Sequence, residues 1–193
     1  HSILSGSDPA QGAVVFLPEG EESVLRLWFT ERVEPAFSAV EVRDASGARV
    51  DVAGSLKAVG NGAEVTVAVR PRSLGAHTVN YRMLSAVDGH TVSGSYTFIV
   101  ARAEPGSGSR LASAPQELRF EVPKELQASE LRVALYRGSG RLLEESVELR
   151  AGESGSAARL RLPPLGDGVY EVRWEMATSQ GRVSGQYQFA IGR

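Results

Sequence analysis

Two stretches of this chain occur twice. GAHTVNYRM (75–83) returns as GVYEVRWEM (168–176), and VSGSYTFIV (92–100) returns as VSGQYQFAI (183–191). A third, looser match sets VEVRDASG (40–47) against VALYRGSG (133–140). Within each stretch apolar residues alternate with polar ones, the period of a half-buried β-strand. A chain built this way has to make the same strand pairings twice. The duplication also separates fold from function: a residue kept in both copies serves the fold, and a polar residue found in one copy alone is a candidate for chemistry.

The rest of the 193 residues fits this pattern. Val24–Phe29 places Leu25, Leu27 and Phe29 on one face, and Ala63–Val69 alternates throughout. Turn signals such as Asp44-Ala45-Ser46-Gly47 and Gly60-Asn61-Gly62 fall between the runs. Short strands with a turn every ten or so residues predict an all-β chain of two tandem Greek-key, immunoglobulin-like β-sandwich or barrel domains. We place the first domain at 1–101 and the second at 116–193. Residues 102–115 hold Glu104-Pro105-Gly106-Ser107-Gly108-Ser109 and read as a flexible linker. Met83 and Met176 share a strand position and are expected in the core. His77 aligns with Tyr170 and is expected to pack beside Val79 and Met83. Trp28 points away from Leu27 and Phe29, toward the surface, a domain boundary or a site.

Composition narrows the functions. No apolar run reaches the roughly 18 to 20 residues of a membrane span. The net charge is −2 with scattered basic residues, so no nucleic-acid footprint is present. The chain has no cysteine, which removes disulfides, thiolate zinc sites and cysteine nucleophiles. No strand-to-helix nucleophile turn accompanies Ser85 or Ser93. The first residue is His rather than Met. Either a signal peptide has been removed or the chain has been trimmed, and we expect the former.

One polar stretch is not shared. Between the repeated flanks the first copy reads Leu84-Ser85-Ala86-Val87-Asp88-Gly89-His90-Thr91, and the second reads Ala177-Thr178-Ser179-Gln180-Gly181-Arg182. The second copy lacks both carboxylate and imidazole, so Asp88 and His90 are not needed to make the turn. Side chains two apart in an extended segment project to one side, and Gly89 between them lets the backbone bend. A metal ion is the leading explanation. An N-terminal His1 would add an α-amine and a ring nitrogen from one residue, a chelating pair. His1, Asp88 and His90 would then supply three nitrogens and an oxygen, a set suited to one tetragonal Cu(II) ion. Cu(I) favours thiolates and thioethers, which the absent cysteines and the core methionines do not offer.

These residues resemble those of the CopC-type periplasmic copper-binding proteins. The resemblance runs over residues 1–100. It rests on His1 with Leu4, the turn Ser7-Asp8-Pro9-Ala10-Gln11-Gly12, the run Phe29-Thr30-Glu31-Arg32-Val33-Glu34 with Phe37-Ser38, and Ser85-Ala86-Val87-Asp88-Gly89-His90 with Val92-Ser93-Gly94. It implies a small Greek-key β-barrel or sandwich with Cu(II) ligands at His1, Asp88 and His90. It implies a copper carrier or chaperone rather than an enzyme, delivering to a copper-accepting protein or a membrane copper transporter. Residues 116–193 form a site-less second copy that could serve for docking. Two other readings stay open: an oxidative copper enzyme of the lytic polysaccharide monooxygenase type, and a metal-free tandem immunoglobulin-like interaction module.

Overall fold

The computed structural model describes residues 2–192. The first seven strands are β1 (Leu4–Asp8), β2 (Val14–Leu17), β3 (Ser23–Phe29), β4 (Ala39–Arg43), β5 (Lys57–Val59), β6 (Glu64–Val69) and β7 (Gly75–Leu84). Next come β8 (Thr91–Glu104), β9 (Arg110–Leu111), β10 (Glu117–Pro123), β11 (Glu130–Arg137) and β12 (Gly140–Glu148). The chain ends with β13 (Arg150–Ala151), β14 (Gly155–Arg161), β15 (Gly168–Thr178) and β16 (Gly181–Ile191). Two single 3-10 turns, Pro35–Phe37 and Lys124–Leu126, are the helical elements among the described residues. None of the described helices is long and apolar enough to cross a membrane.

The chain divides into two compact units. The first holds residues 1–13 and 20–99, and the second holds 14–19 and 100–193. In the first unit one sheet has the order β1-β3-β6-β5, and the other joins β4, β7 and the first part of β8. The chain changes sheet between β3 and β4, β4 and β5, and β6 and β7. Alternate residues of the strands fill the space between the sheets. Leu25, Leu27, Val65, Val79 and Met83 are fully or almost fully buried, as the period-2 pattern requires.

The second unit repeats this topology. β8 from Val100 onward, β10, β14 and β13 form one sheet, in the places of β1, β3, β6 and β5. β11, β15 and β16 stand for β4, β7 and β8, β9 pairs with β16 as β2 pairs with β8, and β12 is added at the other edge. The correspondence reaches single hydrogen bonds. In the first unit Gly12 N–H donates to Thr97 C=O (2.7 Å) and Ile99 N–H to Ala13 C=O (2.8 Å). In the second, Gly108 N–H donates to Gln188 C=O (2.8 Å) and Ala190 N–H to Ser109 C=O (2.9 Å).

Matched residues explain the repeated words. Met83 and Met176 are both wholly buried. His77 is buried, with Nδ1 2.9 Å from the Gly75 carbonyl oxygen, and its ring stacks on Phe98 at 5.6 Å. Its counterpart Tyr170 stacks on Phe189 at 5.5 Å and donates its hydroxyl to Gly166 C=O (2.7 Å). Each copy thus spends this position on an aromatic stack inside the sandwich. Trp28 lies on the outer face of β3, 37% exposed, over Gly6.

The stretch expected as a linker is instead part of the second unit. Arg102, Glu121, Ala103 and Phe120 are paired in the β8–β10 ladder, and Arg110–Leu111 pairs in parallel with β16. The Gly/Ser run between them is a tight turn. Gly106 N–H donates to Ser109 Oγ (3.0 Å), Ser109 is buried, and a β-carbon on Gly106 would meet Pro18 N at 2.5 Å. Residues 14–19 were expected in the first domain and also belong to the second unit. Phe16 there packs edge-on to Trp174 (4.9 Å) and Phe120 (5.5 Å), and is 1% exposed. Burying such a ring contributes on the order of 1.5–3 kcal/mol.

A glycine in each copy lies beneath a large aromatic ring: Gly94 under Tyr81 and Gly185 under Trp174. A β-carbon on Gly185 would stand 2.7 Å from Trp174 Cζ2, so the indole would have to move. We expect Gly185→Ala to destabilise the second unit by about 1–3 kcal/mol, measured by urea unfolding followed through tryptophan fluorescence. An unshifted midpoint would mean that Trp174 does not rest on this glycine.

Candidate metal centre

The loop joining β7 to β8, residues 85–90, closes on itself. Ser85 N–H donates to His90 C=O (2.8 Å), and Gly89 N–H donates to Ser85 C=O (3.1 Å). Gly89 has φ +72°, a left-handed conformation that glycine adopts without a β-carbon penalty. This bend turns Asp88 back over the chain. Its Oδ1 accepts from His90 N–H (3.0 Å), an Asx-type turn. Its Oδ2 lies 3.1 Å from His90 Nδ1. Carboxylate and imidazole therefore share one spot at the loop surface, with side chains 28% and 62% exposed. The second copy closes the same hairpin with Ser179-Gln180 alone, braced by Thr178 Oγ1 donating to Gly181 C=O (2.8 Å). The longer loop is thus an addition to a hairpin that folds without it.

The segment following β3 lies along this loop. Ala86 N–H donates to Arg32 C=O (2.8 Å), Glu34 N–H to Leu84 C=O (2.9 Å), and Val33 forms an isolated bridge with Ser85. Glu31 reaches the loop through its side chain, its Oε2 accepting from Ser85 Oγ (2.8 Å). The start of the chain lies against the same segment. Thr30 N–H donates to Ile3 C=O and Ile3 N–H to Thr30 Oγ1, both at 2.9 Å. Ser2 is buried, and its Oγ donates a longer bond, 3.4 Å, to Glu31 C=O. Glu31 therefore stands between the second residue of the chain and the loop that carries Asp88 and His90.

Of the three residues singled out as ligands, Asp88 and His90 are brought together, and His1 lies outside the described residues. Among the described residues, no group of three or more His, Cys, Asp or Glu side chains is arranged to hold a metal ion. The donors present are a carboxylate and an imidazole, which suit a borderline divalent ion. Neither methionine is accessible as a thioether donor. Sequence reasoning passed over Glu31 and Ser85 as a pair. They are 54 positions apart, and nothing local links them.

Comparison with known proteins agrees with the duplication. A family model described as the CopC domain matches residues 4–101 and, a second time, 100–192. The chain belongs to the CopC family. The CopC pattern thus spans both copies, including the half that lacks Asp88 and His90 equivalents. Among solved structures, the crystal structure of CopC from Methylosinus trichosporium OB3b is 33% identical, covering 52% of this chain and 93% of its own, with a TM-score of 0.45. The titin Ig tandem domains A164-A165 are 13% identical over 98% of this chain and 96% of theirs, with a TM-score of 0.32. The fibronectin(III)-like modules of Clostridium thermocellum CbhA are 9% identical over 99% of this chain and 94% of theirs, with a TM-score of 0.34. No curated protein matches the chain.

The left-handed bend at Gly89 gives a direct test of the loop. A β-carbon there would meet nothing within 4 Å, so any cost is conformational and not steric. Gly89→Ala should destabilise the first unit by about 1–2 kcal/mol, and Gly89→Asn should cost less because Asn tolerates this region. Chemical denaturation of both variants checks the order; equal stability of Ala and Gly would mean that the bend is absent in solution.

Proposed function

We propose that this CopC-family chain is a periplasmic Cu(II) carrier, binding one ion and passing it to a partner. The ligands in this reading are Asp88, His90 and His1, the last through its ring and, as the mature chain's end, its α-amine. The observation that carries it is the placement of Asp88 Oδ2 3.1 Å from His90 Nδ1 on a loop present in one copy only. Support comes from Ser2 and Ile3, which are tied to Thr30 and Glu31 beside that loop.

A brace of amine and imidazole nitrogens with one carboxylate oxygen favours Cu(II) among divalent ions. Such a set occupies the positions around a tetragonal ion and leaves no open site for a substrate, which suits carriage rather than catalysis. Release would go to a copper-accepting protein or a membrane copper transporter, with the second unit available for docking. Amine and imidazole bind the metal only when deprotonated, so protons compete with copper. Affinity therefore falls as the pH is lowered.

Titration with Cu(II) against a competing chelator tests the ligand set. Asp88→Ala and His90→Ala should each weaken binding by at least about ten-fold, since each removes a ligand. Adding one residue before His1 should weaken it further, because it converts the amine to an amide. An extended protein that holds copper as tightly as the parent would remove His1 from the site. Unchanged affinity in the alanine variants would remove the loop.

A further inference from the structure

We infer that Ser85 is the positioning residue of this site, coupling the loop that carries Asp88 and His90 to the segment against which the chain's first residues lie. The inference rests on the copper-carrier reading above. Ser85 is 1% exposed, and its hydroxyl is used to capacity. It donates to Glu31 Oε2 (2.8 Å) and accepts from Val87 N–H (3.1 Å) and Asp88 N–H (3.3 Å). A hydroxyl has one proton and two lone pairs, so nothing is left over. The backbone of Ser85 adds two more links, its N–H and C=O closing the loop on His90 and Gly89, and its neighbours Leu84 and Ala86 bond to Glu34 and Arg32 across the bridge to Val33.

Each of these bonds constrains a different part of the site. The bonds to the Val87 and Asp88 amides fix the turn that presents the Asp88 carboxylate. The bond to Glu31 fixes a residue whose carbonyl accepts from Ser2 Oγ. One buried side chain therefore sets the distance between the two arms of the proposed site. The second copy supplies the contrast. There Thr178 stands in the place of Ser85 and accepts from Gln180 N–H (3.2 Å) as Ser85 does from Val87 N–H, but its bonds are exposed and it donates within its own turn, to Gly181 C=O, rather than to a remote carboxylate. The bond to Glu31 is thus not required for the hairpin. It is required for the longer loop to hold one shape.

Removing the hydroxyl takes one hydrogen-bond partner from each of two amides and a carboxylate, in a place water reaches poorly. The loop then relaxes toward several conformations, and both arms lose register. Groups that orient metal ligands without touching the metal typically change affinity by roughly ten- to a hundred-fold. Ser85→Ala in the full chain should therefore weaken Cu(II) binding by about ten-fold or more. It should also alter the electron paramagnetic resonance spectrum of the bound ion and speed hydrogen exchange at the Val87 and Asp88 amides, while the other strands of the metal-free protein keep their protection. Ser85→Thr and Ser85→Val form an isosteric pair differing in the hydroxyl. Thr should retain the parent spectrum and tighter binding, and Val should lose both. This pair decides the matter even if the alanine variant folds poorly. A parent protein that binds Cu(II), with Ala or Val variants matching it in affinity and spectrum, would overturn the inference and leave the carrier reading standing. A parent protein that fails to bind Cu(II) would overturn both.

Discussion

The antiparallel pairing of β1 with β3 decides where the chain's first residues lie. Leu4 is set opposite Phe29 and Asp8 opposite Arg26, with a bulge between Leu4 and Gly6. This register carries Ile3 and Ser2 past the end of β3, onto Thr30 and Glu31. The β7–β8 connection meets the same segment through Arg32, Val33 and Glu34. Two parts of the chain nearly ninety positions apart therefore converge on one short run, 30–34. Strand register is strongly specified wherever one face is buried, because a one-residue slip would expose the apolar face. β3 has such a face in Leu25, Leu27 and Phe29, whereas β1 has no buried residue and is held on β3 by the ladder and by polar contacts such as Ser5 Oγ to Trp28 C=O (3.0 Å).

The duplicated fold shows which features this convergence requires. In the second unit the place of β1 is taken by the latter part of β8. Glu104 pairs with Arg119 as Asp8 pairs with Arg26, and Pro105 and Gly108 follow as Pro9 and Gly12 do. Counting back equally from Asp8 and Glu104 sets His1 against Thr97, which lies within β8. The second copy therefore has an interior peptide where the first has its leading residues. The shorter Ser179-Gln180 turn has no equivalents of Asp88 and His90. The buried stacks of His77 with Phe98 and of Tyr170 with Phe189 are kept.

What the sequence made legible follows from how local each signal is. The strands were readable because burial alternates with period two along each of them. The Asp88–His90 pair was readable because the residues are two apart and Gly89 between them announces a bend. The Ser85–Glu31 bond was not, since serine beside a turn is common and its partner is remote. Residues 102–115 misled because glycine and serine suit both a flexible tether and a tight turn. What distinguishes the two is the approach of Pro18 to Gly106 and the burial of Ser109, which only the folded chain displays. Phe16 gave no sign that it would serve the second unit. An apolar strand reads the same whichever core it fills.

The loop itself illustrates how a site can be added to a stable scaffold. Lengthening a connection costs little closure entropy, since each doubling adds only about 0.6 kcal/mol. The larger cost lies in giving the added residues one conformation. Here that ordering comes from a left-handed glycine, an Asx turn onto His90 N–H, and the saturated Ser85 hydroxyl. The Asx turn and the bond from Ser85 to Glu31 have no counterpart in the second copy's hairpin, where Thr178 bonds only within its own turn. A slip of β1 on β3 would move Ser2 away from Glu31 and leave an intact loop with nothing opposite it.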